Sequence, residues 1–116
     1  MIDYNKEVVS ALKTVLPTHY ELTLTSKTQT PCISYMEFNN VSVTDVVGAT
    51  VGYSNIYFQV KVWSTKVADI NKYAKEIDRV MRGLGFKRTS SNELQDRNST
   101  MIQRVMMYEA LAVEQF

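Results

Sequence analysis

The sequence has one cysteine, Cys32, and one histidine, His19. A lone cysteine forms no disulfide within its own chain, so the fold needs no oxidising compartment. One Cys and one His fall short of the ligand set a zinc site requires, and no metal or cofactor is expected. Charge of one sign is also missing: 13 Lys and Arg face 12 Asp and Glu. A dedicated nucleic-acid binder carries a large basic field, and that class is disfavoured. No apolar run approaches the roughly 20 residues that span a bilayer. The opening "MIDYNKEVV" lacks the continuous apolar stretch of a secretory signal. The expectation is a protein made and kept in the cytosol, or in something assembled there, with no membrane partner.

The 116 residues suit one domain, 1–116, with a single core. Hydrophobic residues make up 45% and charged residues 22%, as in ordinary globular proteins. Residues 4–16 place Val8, Leu12, Val15 and Leu16 on one helical face, with Asp3 as a cap and Pro17 as a stop. "HYELTL" (19–24) alternates weakly and reads as a strand. "CISYMEF" (32–38) has period 2. The Val- and Thr-rich 41–52, broken by Asp45, Gly48 and Gly52, reads as a strand pair or a long projecting loop, with the loop favoured.

Residues 53–63 give the clearest strand: Ile56, Phe58, Val60 and Val62 face one way, and Tyr57, Gln59, Lys61 and Trp63 the other. A helix from a Ser64 or Thr65 cap to about Arg82 buries Val67, Ile70, Ala74, Ile77, Met81 and Leu84, with Gly83 as the C-cap. "FKRTS" (86–90) is a short strand, 91–99 a polar turn, and 100–112 a long last strand. The fold class predicted is α+β: two helices packed on a mostly antiparallel sheet of four to five strands, with a long projecting loop at about 41–52.

Chemistry is thin. A phosphate-binding turn after a strand needs glycine so that backbone N–H groups can approach the anion. Between Trp63 and Val67 stand only Ser64, Thr65 and Lys66, which serve as a helix start. Catalysis at Cys32 needs a base, and His19 is the sole candidate. Cys32 packing as a small hydrophobe and His19 sitting in a surface turn is the simpler reading. The carboxylates Asp45, Glu93, Asp96 and Glu109 show no paired spacing. Arg79, Arg82, Lys87 and Arg88 cluster at the end of the second helix, where they suit its dipole or meet an acidic partner. The last strand carries apolar bulk on both sides, and Tyr57 and Trp63 are large for a wet face. These features point to a neighbouring subunit or to a more closed sheet.

With those elements in place, the chain resembles the tail-completion and tail-terminator proteins of long-tailed bacteriophages. The likeness runs through "TPCISYMEF", "YFQVKVWSTKVADINKYAKEIDRVMRGLGF" and "ELQDRNSTMIQRVMMYEALA". It covers nearly the whole chain and is carried by fold-level patterns rather than catalytic signatures. It is weakest around 41–52. The resemblance implies a structural virion protein of a siphophage, prophage or phage-like particle, with no enzyme activity. Such a protein forms a ring, usually a hexamer, at the head-proximal end of the tail. Its partners would be itself, the tail-tube protein and the head-completion or connector protein, with DNA passing through the bore without specific binding. The candidate interface residues are Val43, Asp45 and Val47 in 41–52, Tyr57 and Trp63, and Arg88, Arg104, Met106 and Tyr108. The alternative is a cytosolic α+β module that binds a small molecule or peptide through the same aromatics.

Overall fold

The computed structural model describes residues 5–25, 28–43, 51–95 and 100–115. In chain order the elements are helix α1 (Asn5–Lys13), strand β1 (Thr18–Tyr20), a 3-10 turn (Glu21–Thr23), β2 (Cys32–Val43), β3 (Val51–Ser64), helix α2 (Val67–Gly83), β4 (Lys87–Gln95) and β5 (Ile102–Gln115). They form an α+β fold with one five-stranded sheet, ordered β1-β2-β3-β5-β4. Only β1 and β2 run parallel; the other three pairings are antiparallel.

Both helices pack on the same side of the sheet. Helix α2 places Ile70, Ala74, Ile77 and Met81 at 3.6-residue spacing, and all four are buried. Beneath them lie Ile56, Phe58, Val60 and Val62 of β3 with Ile102, Met106 and Tyr108 of β5. Helix α1 adds Val8 and Leu12, and Leu16 beyond its end joins the same core. Phe86, just before β4, packs edge-on against Phe58, with ring centroids 5.6 Å apart.

The ends of α2 differ from the expected caps. The N-cap is Lys66 rather than Ser64 or Thr65. Ser64 still holds the joint: its hydroxyl accepts the Lys66 N–H at 3.1 Å and donates to Asp69 at 3.2 Å. Val67, expected in the buried stripe, is half exposed at the first turn. At the other end the glycine that matters is Gly85, not Gly83. Phe86 N–H reaches back to the Met81 carbonyl and Gly85 N–H to the Arg82 carbonyl, each at 3.0 Å. That pair of bonds is the Schellman closure, and Gly85 sits at φ 91° to make it.

Other boundaries move too. Strand β1 is Thr18–Tyr20, so only His19 and Tyr20 of "HYELTL" are strand, and Glu21–Thr23 tightens into the 3-10 turn. Strand β4 runs on through "SNELQ", which was expected as a turn. It is an edge strand with mostly exposed side chains, so polar residues suffice and no alternation betrays it. Of the expected loop at 41–52, residues 41–43 extend β2 and 51–52 begin β3, with Val43 opposite Tyr53. Residues 44–50, including Asp45 and Val47, lie outside the described residues.

Strand length sets the shape. Strands β3 and β5 have 14 residues each, so each reaches about 46 Å at ~3.3 Å per residue. Helix α2 has 17 residues and covers about 26 Å at 1.5 Å per residue. The molecule is accordingly elongated, 55 × 24 × 22 Å. Past Asn39, Tyr57 and Glu109 the sheet continues as a three-stranded arm of β2, β3 and β5 alone.

Candidate functional site

The sheet has a helix-covered face and a second face, and the candidate residues divide between them. Met106 and Tyr108 lie on the helix-covered face and are fully buried. Their assignment to an interface is corrected: they belong to the core, because Ile102, Met106 and Tyr108 of β5 pack in one cluster with the buried face of α2. The Tyr108 hydroxyl donates to Asp78 Oδ1 of α2 at 3.2 Å. Burial, followed by the Asp78 charge and hydrogen bond, holds its pKa well above the ordinary tyrosine value.

Arg104 shares that face but sits near its margin. One guanidinium nitrogen donates to Asn71 of α2 and Glu93 of β4, at 3.2 and 3.3 Å. The other donates to Ser91 at 3.3 Å. Its Nε is buried without a hydrogen-bond partner among the described residues. Arg104 therefore ties the helix to the edge strand. Arg88 lies 3.7 Å from Asp78, which also pairs with Arg82 at 2.8 Å. Lys75, Arg88 and Arg104 line an open groove of about 430 Å³ between α2 and β4.

On the second face, Trp63 is held by its own chain. Its indole N–H donates to Ser34 Oγ at 2.9 Å, and Ser34 is fully buried. Lys61 Nζ stands 5.8 Å from the Trp63 ring and binds Glu21 of the 3-10 turn at 2.7 Å. Leu24, Thr25, Thr28 and Thr30 border a hollow of about 420 Å³ over Trp63 and Cys32. Cys32 is 1% exposed, and burial pushes its thiol pKa up. A thiol held protonated is a poor nucleophile.

The rest of the second face is only half buried: Tyr57 and Gln59 of β3 and Val105 and Met107 of β5. Near the arm, Phe38 and Leu111 are 62% and 64% exposed. The sheet also leaves two edges unpaired. Among the described residues β4 has no outer neighbour, and β1 pairs with β2 only at Ile33–Tyr35. These edges were missed in the sequence because β4 did not read as one strand there. Among the described residues no group of His, Cys, Asp and Glu is placed to hold a metal ion. No helix described is long and apolar enough to cross a membrane.

Compared with known proteins, the chain matches no family model and no curated protein sequence.

Proposed function

We propose that the protein is a structural subunit of a long-tailed phage or phage-like particle. It assembles into a ring at the head-proximal end of the tail, completes or terminates the tube, and joins it to the head connector. The observation that carries the reading is the arm. Three strands run on past the helix layer, and the backbone of an extended sheet edge suits pairing with other protein rather than holding a substrate. The order helix, strands, helix, hairpin is the one the resemblance to tail-completion proteins implies. The reading assigns the protein no chemical step, in keeping with the buried, protonated Cys32 thiol. The mechanism is geometric: subunits close a ring, one end meets the tube, the other meets the connector, and DNA passes through.

Removing the gene from a phage that carries it tests this. The expected result is filled heads and finished tails that stay apart, with joining restored by the gene in trans. Normal infectious particles from the deletion would overturn the reading.

The hollow over Trp63 favours a second reading, a binding module for a small molecule or peptide. Its volume of about 420 Å³ lies in the range of small-ligand sites. Trp63 is the chain's one tryptophan, so a saturable change in its fluorescence with a candidate ligand would support this alternative.

A further inference from the structure

The groove between α2 and β4 holds more hydrogen-bond donors than the fold uses. Lys75 lines it, is exposed, and has no ion-pair or hydrogen-bond partner among the described residues. Arg88 stands 3.7 Å from Asp78, too far for a hydrogen bond, and its guanidinium makes none among the described residues. Arg104 is held by Asn71, Ser91 and Glu93, yet its Nε has no acceptor there. The neutral groups of the groove add to the surplus. Asn71 offers its carbonyl oxygen to Arg104, and Ser91 offers its hydroxyl oxygen. What each has left is a donor: the Asn71 amide N–H groups and the Ser91 O–H.

The acceptors are already engaged. Asp78 is the one carboxylate in the lining. Its Oδ1 accepts the Tyr108 hydroxyl, and its Oδ2 lies 2.8 Å from Arg82. Glu93 beside the groove pairs with Arg104. With Asp78 matched by Arg82 and Glu93 by Arg104, the charges of Lys75 and Arg88 stand in excess.

We infer that this groove binds a phosphate group, as the free ion or as an ester of a small organic molecule. Donors stand on α2 to one side and on β4 and β5 to the other. That arrangement suits a tetrahedral anion, with oxygens in every direction, better than a planar carboxylate. A guanidinium grips two phosphate oxygens at once, and a lysine adds a point charge. Arg104 is fixed by its own partners in advance, so little of its freedom is lost on binding. The volume of about 430 Å³ lies in the range of small-ligand sites and leaves room for the molecule that carries the phosphate. A bound phosphate would bridge α2, β4 and β5, adding to the tie that Arg104 makes. The site requires no second copy of the chain, so it stands or falls apart from the ring proposed above.

Titration of the isolated protein with inorganic phosphate at constant ionic strength, followed by NMR, tests the site. Signals from 71–75, 88–91 and 104 should shift saturably, with a Kd of about 1 mM or tighter. Sodium acetate at the same ionic strength should give no saturable shift. Lys75→Gln with Arg88→Gln should weaken binding about tenfold or more, as charge-assisted hydrogen bonds are lost, while the far-UV spectrum is unchanged. Lys13→Gln, which removes a positive charge from α1 outside the groove, should leave the Kd unchanged. If the double variant unfolds, Lys75→Gln alone decides, because this exposed side chain has no partner to lose. Glycerol phosphate identifies the source. Tighter binding than inorganic phosphate assigns the site to an ester, and equal binding assigns it to the free ion. No saturable shift with either probe, an equal response to acetate, or an unchanged Kd in the groove variants would overturn the inference.

Discussion

Gly85 bears a conformational demand that no contact shares. A Cβ built there meets nothing within 4 Å, so Gly85→Ala would cost only the strain of a side chain at φ 91°, about 1–2 kcal/mol. Gly83 also has open space around it but lies inside α2, where Ala should stabilise by up to about 1 kcal/mol. Urea melts of the two variants should therefore move in opposite directions; a loss at both positions would show that the Schellman closure is misassigned. At Tyr108 the buried hydroxyl meets a carboxylate, and Tyr108→Phe should cost about 2 kcal/mol. The folded-state pKa of Tyr108 is raised, so the folded state keeps a proton that the unfolded chain releases near pH 10. Its contribution is complete below that pH and is lost as pH rises further. The alkaline fall in stability should be shallower in Tyr108→Phe. On the second face, Ser34→Ala strands the Trp63 N–H and should cost about 1 kcal/mol, with a shift in the emission of the single tryptophan.

At the scale of elements, legibility followed burial. Strand β3 and helix α2 declared themselves because each buries one face, so their apolar residues recur with period 2 or 3.6. Ile56, Phe58, Val60 and Val62 are all fully buried, as their alternation predicts. Strand β4 did not, because its ladder to β5 is made by the backbone and "SNELQ" needs no apolar side. The last strand was half legible. Apolar residues stand on both of its sides, so sequence alone does not say which side faces the helices, and Met106 and Tyr108, expected at an interface, lie on the buried side. The cover over Trp63 comes from the 3-10 turn and the segment after it, contacts tens of residues apart in sequence such as Lys61 with Glu21. Arg104 is the element-scale weak point, since it joins α2, β4 and β5 at once. Arg104→Ala should lower stability by about 1–3 kcal/mol and speed hydrogen exchange in β4 more than in β2. Equal changes in both strands would argue against that tie.

For the whole molecule, one half is a conventional domain, with two helices closing a core over the sheet. The other half is a three-stranded extension of the sheet with no helix over it among the described residues. Bare sheet with unpaired edges is a hazard that proteins normally cover, charge or twist away. Closing subunits into a ring is one way to cover such edges without an open chain of contacts. The most direct test is electron cryomicroscopy of particles from cells that carry the gene. The account predicts a closed ring of this chain between tail tube and head connector, with a DNA-sized bore. Particles whose neck density leaves no place for the chain would contradict it.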